Sequence, residues 1–261
     1  MANFGVPAHM YMSSPLASVH QGDSLDDVHR RLQESGFSAL PVVYDGGHVI
    51  GVLSRSDLIR LGIRESANPT PSPLLVFPDR TAGDDMTPVP TAVSTDAPLS
   101  EVADIMIEDR VHRVFVEGED GRTTGVVTTR DLMRAIADKR VSQPLSELMS
   151  SPVFTIRAAE PVSMATERLG KARVTGLVVV DESWPVGVFS QVEAVDARDV
   201  RRETAVEDVM SPAILILDGR TPIHRAAAQA ASMDVRRIVV IDGDDTVGIV
   251  TGLDFARVVR S

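Results

Sequence analysis

The chain has 261 residues, 43% hydrophobic and 24% charged, with a net charge of −11 and no cysteine. That length allows one large or two ordinary domains of a globular protein, and the missing cysteines exclude a disulfide framework or a thiolate metal site. The acidic balance argues against general nucleic-acid binding, and no apolar run approaches the roughly 18 residues of a membrane span.

The predicted elements repeat along the chain, so the repeat is read first. The first unit opens with Met12-Ser13-Ser14-Pro15 and carries a hydroxyl, Ser18, three residues on. An amphipathic helix capped by Ser24 follows, then an apolar strand, Leu40-Pro41-Val42-Val43, and a turn at Asp45-Gly46-Gly47. A second strand runs into Gly51-Val52-Leu53-Ser54-Arg55-Ser56-Asp57, where a helix begins. Ser66 to Ala82, containing Asn68-Pro69-Thr70-Pro71-Ser72-Pro73, reads as a linker. Leu74 to Phe77 within it is expected to pack as an added strand.

The second unit has Met86-Thr87-Pro88, then Thr91 and a helix with Leu99, Val102, Ala103 and Met106 on one face. Its strand Val114-Phe115-Val116 leads to Gly125-Val126-Val127-Thr128-Thr129-Arg130-Asp131. A weaker boundary falls at Asp138 to Pro144. The third unit has Met149-Ser150-Ser151-Pro152, Thr155, a strand from Leu177 to Val180 and Gly187-Val188-Phe189-Ser190-Gln191-Val192-Glu193, with Trp184 expected in a turn beside Pro185. The fourth has Met210-Ser211-Pro212, Leu215 in place of the early hydroxyl, a strand from Ile238 to Ile241, a turn at Asp242-Gly243-Asp244-Asp245, and Gly248-Ile249-Val250-Thr251-Gly252-Leu253-Asp254.

From signature proline to phrase glycine the distances are 36, 37, 35 and 36 residues, and successive glycines lie 74, 62 and 61 apart. The longer first interval holds the linker. Each unit reads strand, helix, strand, strand, helix, an α/β (α+β) repeat. Met12, Met86, Met149 and Met210 are expected to pack as part of the repeated signature.

Two chemistries fit the glycine phrase. Ser/Thr-x-x-Asp/Glu at a helix start is a capping box, which satisfies free N–H groups. The same geometry suits a nucleotide, since a helix N-terminus favours phosphate and a nearby carboxylate accepts from ribose hydroxyls. A second position separates the units. The second has Val111-His112-Arg113-Val114 and the fourth Val235-Arg236-Arg237-Ile238, whereas the first has Phe37-Ser38-Ala39-Leu40 and the third Val174-Thr175-Gly176-Leu177. A cation just before a buried strand reads as a surface residue or as the partner of a nearby acid. His112 also invites reading as a pH switch. The six histidines never fall at ligand spacing, so no metal is expected, and no catalytic constellation accompanies His112 and Asp131.

The Met-[Ser/Thr]-x-Pro start, helix, apolar strands and Gly-h-h-[Ser/Thr]-x-x-Asp end resemble the CBS domain, named after cystathionine β-synthase, over about residues 8 to 260. The resemblance implies four CBS domains, at 1–65, 83–140, 141–200 and 201–261, with a linker at 66–82. They would pair about pseudo-two-fold axes into modules 1–140 and 141–261. It also implies adenine nucleotides (AMP, ADP or ATP) or S-adenosyl ligands in the clefts, with the phrase acid on the ribose, the Ser/Thr facing phosphate and the basic pair on phosphates.

Transferred residue by residue, the second unit is complete, with Thr91, His112, Arg113, Thr128 and Asp131. The fourth has Arg236, Arg237, Thr251 and Asp254. The first has Ser18, Ser54 and Asp57 without a cation, and the third, with Gly176 and Glu193, is degenerate. Each module would then hold one phosphate-competent half. The expectation is a stand-alone regulatory protein, not an enzyme, that needs no cofactor. It would be cytoplasmic, since Met1-Ala2-Asn3-Phe4-Gly5-Val6-Pro7 lacks the pattern of a signal peptide. It would be a homodimer acting on an unidentified regulated protein, without nucleic-acid or membrane partners. The competing reading is a structural assembly module with empty clefts.

Overall fold

The computed structural model describes residues 3–14, 17–44, 48–65, 75–88 and 92–260. The predicted script appears four times. The first repeat runs β1 (Val19–His20), α1 (Leu25–Ser35), β2 (Ala39–Val43), β3 (Val49–Ser54) and α2 (Arg55–Glu65). A short helix α3 (Ala82–Asp85) and β4 (Thr87–Pro88) precede the second repeat, which is β5 (Val93–Ser94), α4 (Leu99–Glu108), β6 (Arg113–Glu117), β7 (Thr123–Thr128) and α5 (Thr129–Asp138). The third is β8 (Thr155–Arg157), α6 (Val162–Ala172), β9 (Gly176–Asp181), β10 (Trp184–Ser190) and α7 (Gln191–Asp196). The fourth is β11 (Leu215–Asp218), α8 (Ile223–Ser232), β12 (Arg237–Asp242), β13 (Asp245–Thr251) and α9 (Gly252–Arg260).

Every repeat builds the same small sheet. Its middle strand pairs parallel with the first and antiparallel with the third. The parallel step is possible because the first helix of the repeat makes the crossover. The middle strands are apolar runs with almost no polar alternation, as expected of strands buried on both faces: Val114, Phe115 and Val116 of β6 and Ile238, Val239 and Val240 of β12 are all buried.

The chain divides into two compact units that interleave along the sequence. One comprises Met1–Leu16, Pro90–Val153 and Ile214–Ser261, and so holds the second and fourth repeats. The other comprises Ala17–Val89 and Phe154–Ala213, and holds the first and third. In the first unit α5 packs on α8 and α9, and α4 on α9, around a core that includes Met106, Ile136, Ala227 and Phe255. In the second, α2 packs on α7 around Leu25, Leu58, Phe189 and Val195.

Four straps, each carrying one short helical turn, close the repeats, and each comes from the segment preceding a different repeat. Residues 4–12 strap the second repeat, 80–86 the first, 141–149 the fourth and 202–210 the third. The strap supplies what the first helix of the repeat lacks. Pro98, Pro161 and Pro222 stand at the N-caps of α4, α6 and α8 and make no side-chain cap bond. The free N–H groups of those helices donate instead to strap carbonyls. Leu99 and Ser100 donate to Val6 and Phe4 (2.9 and 3.2 Å), Val162 and Ser163 to Thr204 and Arg202 (2.8 and 3.2 Å), and Ile223 and His224 to Gln143 and Val141 (2.8 and 2.9 Å). In the first repeat Ser24 caps α1 itself, accepting from the Asp27 N–H at 3.1 Å, and the strap adds only the Leu25 bond to the Arg80 carbonyl at 3.4 Å.

Each strap ends with its signature methionine across a phrase glycine: Met12 over Gly125, Met86 over Gly51, Met149 over Gly248 and Met210 over Gly187. A Cβ on Gly125 or Gly187 would stand 2.6 Å from the sulfur. The next residue then bridges to the third strand, as Ser13 does to Val126 and Ser150 to Ile249. The methionines therefore pack, as expected, but on a repeat other than the one they introduce.

Two local expectations change. Leu75 to Phe77 form no strand; Leu75 and Phe77 are buried as side chains, and the Leu75 N–H donates to the Arg198 carbonyl at 3.0 Å. Leu74 lies outside the described residues, as do the rest of the Pro-rich stretch and the Asp45-Gly46-Gly47 turn. Trp184 starts β10 rather than sitting in a turn; it pairs with Asp181 and is half exposed.

Candidate functional site

The glycine phrase turns from the third strand into the second helix of each repeat, and its acid folds back on its hydroxyl residue. The Ser54 N–H and hydroxyl donate to Asp57 Oδ2 at 2.8 and 2.5 Å. Those of Thr128 donate to Asp131 Oδ2 at 2.8 and 2.7 Å, and those of Thr251 to Asp254 Oδ2 at 2.7 and 2.8 Å. Glu193 receives the Ser190 N–H at 2.8 Å and the Ser190 hydroxyl as well, so its extra methylene does not disrupt the box. A fifth box, Thr81 with Asp84, caps α3. It was legible as Thr-x-x-Asp but straddled the end of the expected linker, with Thr81 inside 66–82 and Asp84 beyond it.

The second carboxylate oxygen is engaged too. Arg134 donates to Asp131 Oδ1 at 3.2 Å, Arg257 to Asp254 Oδ1 at 2.7 Å, and Arg60 pairs with Asp57 Oδ1. These arginines sit three residues after each aspartate, so the repeated phrase extends to Asp-x-x-Arg. The third repeat breaks this extension with Asp196, which pairs instead with Arg55. Sequence reasoning did not single out Arg60, Arg134 and Arg257, although the spacing was visible. The aspartates are buried while their arginines reach solvent, so each pair is a buried carboxylate under an exposed cation. Burial pushes the Asp131 carboxyl above its ordinary value, against the opposing Thr128 hydrogen bonds and the Arg134 and Arg130 charges.

The remaining predicted residues fall in three places. Thr91 lies outside the described residues. Ser18 borders a groove of about 410 Å³ with Arg30, Arg31, Glu34, Ser35 and Leu40, and Arg31 donates to the Ser18 carbonyl at 2.9 Å. Ser54 and Asp57 do not line that groove. The basic residues come together: His112, Arg113, Arg236 and Arg237 all belong to the first unit. His112 is pushed down to about 4, by burial first and then by the Arg113, Arg237 and Arg236 charges. Arg113 is held down at about 10 by burial and by Arg236. Both basic pairs thus lie in one compact unit, gathered from the second and fourth repeats.

The second unit is joined differently at the starts of α2 and α7. Arg55 is 3% exposed and donates to Asp196 Oδ1 (2.6 Å), the Leu32 carbonyl (2.7 Å) and the Phe37 carbonyl (2.9 Å), while Ser56 bonds to Gln191. Among the described residues there is no cluster of three or more metal-ligating side chains and no helix long and apolar enough to cross a membrane.

Four copies of one sheet-and-helix unit, each with an acid-capped helix start, define a tandem-repeat α/β protein. Comparison with protein families matches the CBS domain at residues 8–64, 82–138, 145–199 and 206–261, and the chain belongs to that family. The fold is similar to that of protein MJ1225 from Methanocaldococcus jannaschii, with TM-score 0.80 and 16% identity over 97% of this chain and 99% of that one. Among curated relatives, a homoserine O-acetyltransferase of Methanocorpusculum labreanum is 29% identical over 103 residues, 40% of this chain, and the match spans 21% of that protein's length. The chloroplastic CBS domain-containing protein CBSX2 of Arabidopsis thaliana is 28% identical over 137 residues, 45% of this chain and 57% of its own.

Proposed function

We propose that this protein is a regulatory CBS-domain module, not an enzyme, that binds an adenine nucleotide or a related adenosyl ligand and signals by a change in conformation or assembly. The observation that carries the reading is the set of basic pairs, His112-Arg113 and Arg236-Arg237, of which Arg113 and Arg237 begin the strands and pair with the cap residues Thr128 and Thr251. In this reading Asp131 and Asp254 meet ribose hydroxyls once Arg134 or Arg257 swings aside, and the arginines of the basic pairs meet phosphate. The proposal keeps the grouping of the repeats into modules at 1–140 and 141–261. A cytoplasmic homodimer that regulates a partner protein completes the proposal, since a ligand shifts an equilibrium only by binding one state better.

Thermal melting of the full chain with AMP, ADP, ATP or S-adenosylmethionine tests it. A rise in melting temperature with at least one ligand, lost in Asp131→Ala, is expected. Absence of any rise would leave the assembly reading. One observation favours that second reading for the first and third repeats: Arg55 and Asp196 join them with their own ion pair.

A further inference from the structure

In the first unit the second and fourth repeats meet helix on helix. There α4 packs on α9 and α8 on α5, and Gly252 lies so close to Thr129 that a Cβ on the glycine would run into the threonine hydroxyl and methyl. The fifth residues of α4 and α8 are Ala103 and Ala227, both fully buried.

The second unit fills its seam differently. Its α7 has six residues, against eleven, ten and nine in α2, α5 and α9. Residues 75–77 take up the room beyond its end. Leu75 and Phe77 are buried, and Val76 between them is exposed. The Leu75 N–H donates to the Arg198 carbonyl at 3.0 Å, two residues past α7. The Leu75 side chain lies on Gly62 of α2, where a Cβ on the glycine would stand 2.8 Å from it.

The fifth residue of α1 is His29, a titratable ring where α4 and α8 carry alanine and α6 carries Thr166, whose hydroxyl turns back onto its own helix. The ring is 8% exposed, and Nε2 lies 3.3 Å from the Val195 carbonyl of α7. Phe77 meets it at 5.7 Å between ring centroids, with 60° between the planes, and the Arg198 guanidinium stands 4.4 Å from the Phe77 centroid. His29, Phe77 and Arg198 thus form one chain of contacts from α1, through the segment, to the residues after α7.

The charges around the ring suit neutral imidazole. Arg55 of α2 and Arg198 act on it as cations. The acids nearby are already engaged: Asp196 of α7 by Arg55, and Asp26 of α1 and Asp199 by Arg198. Leu75-Val76-Phe77 brings no charge. In the neutral ring a proton on Nε2 serves the Val195 carbonyl; a second proton would go to Nδ1, for which no hydrogen bond stands among the described residues. Burial first, then Arg198, holds the ring below its ordinary 6.5.

We propose that residues 75–77 are a proton-released latch on the second unit: with His29 neutral they tie α1 and α2 to the end of α7, and a proton on His29 lets them go. The docked segment favours the neutral ring, so it is held most firmly above pH 6.5 and opens progressively below it, by at most about tenfold per pH unit. Release uncovers Leu75 and Phe77 and leaves Arg55 and Asp196 to join the first and third repeats. Nothing in the latch requires a bound nucleotide, so it stands or falls apart from the nucleotide reading.

Hydrogen exchange of the full chain at pH 7.5, 6.5 and 5.5, read by mass spectrometry and corrected for the intrinsic rate at each pH, tests this. Peptides that report the Leu75 amide are compared with peptides from β9 of the same unit. In wild type the protection of Leu75 is expected to fall severalfold, up to about tenfold, between pH 7.5 and 5.5, while β9 holds. His29→Gln, which can still donate to the Val195 carbonyl, should keep Leu75 protected at every pH. Phe77→Ala should lose the protection already at pH 7.5. Should His29→Gln fail to fold, His29→Thr, matching Thr166 of the third repeat, takes its place. Constant protection of Leu75 in wild type would overturn the latch. So would β9 losing protection in step with Leu75, which marks general loosening, or an undiminished pH dependence without His29, which assigns the proton to another group. Wild-type protection in Phe77→Ala would remove the ring as its anchor and the latch with it.

Discussion

Met86 lies across Gly51 so closely that a Cβ on the glycine would run into its sulfur and side-chain carbons. The same relation holds for Met12 and Gly125, where the sulfur and the Ser13 carbonyl both crowd the position. Adding a methyl there overpacks a strap against a strand. Gly125→Ala is expected to destabilise the chain by about 1–3 kcal/mol in urea unfolding. Pairing it with Met12→Ala should recover part of that loss, and a double-mutant cycle measures the coupling. Strictly additive effects would show that the contact is not the cause.

Arg55 is the buried joint of the second unit. Arg55→Ala leaves the Leu32 and Phe37 carbonyls without their donor and Asp196 without its partner. A loss of about 3 kcal/mol is expected, because unmade buried hydrogen bonds cost more than made ones gain. Asp196→Asn, whose side chain is partly exposed, should cost about 1 kcal/mol or less. Equal losses in the two variants would contradict the ordering.

Asp131 has two roles that mutation can separate. Asp131→Ala removes the Thr128 box and is expected to cost about 1 kcal/mol of stability as well as the nucleotide response. Arg134→Ala uncovers Oδ1 without touching the box. It should leave melting within a few degrees of wild type and leave nucleotide affinity unchanged or tighter. Loss of binding in Arg134→Ala would make that arginine a ligand contact instead of a cover.

His112 sets an acid limit. Its folded value, about 4, lies below the unfolded 6.5, so folding favours the neutral ring. Its stability contribution is whole above pH 6.5 and falls as pH drops toward 4, by roughly 1.4 kcal/mol per unit. His29, which burial also holds below its ordinary value, acts in the same direction. The informative quantity is therefore the difference between wild type and His112→Gln. Unfolding at pH 7.5, 6 and 5 should show a shallower decline in the variant, and identical slopes would refute the assignment.

The repeat script was legible because its signals are local: apolar runs make the strands, the Ser/Thr-x-x-acid spacing fixes each second helix start, and Ser24 caps α1 within its own turn. Asp-x-x-Arg was equally local and went unread because a surface arginine on a helix carries little weight by itself. The straps were invisible for a different reason. Val6 and Leu99 are ninety-three positions apart, and nothing in either residue announces a backbone hydrogen bond to the other. The gathering of both basic pairs into one unit depends on the contact of Thr129 with Gly252, and their positions in the phrase look interchangeable until the helices are packed. Arg55 occupies that same variable position and turns out to be the most deeply buried cation of its seam.

The straps impose an order on biosynthesis. The strap of the second repeat leaves the ribosome before that repeat does, so residues 4–12 are waiting when α4 emerges. The first repeat must wait for residues 80–86, and the third for 202–210, before their helix starts are fully bonded. The unit that begins with the first residues of the chain is also the one that ends with the last, since it needs Ile214–Ser261. A chain that stalls at Ala213 holds every segment of the unit joined by Arg55 and Asp196, while the unit that carries all four basic residues still lacks the part of its core that lies beyond Ile214.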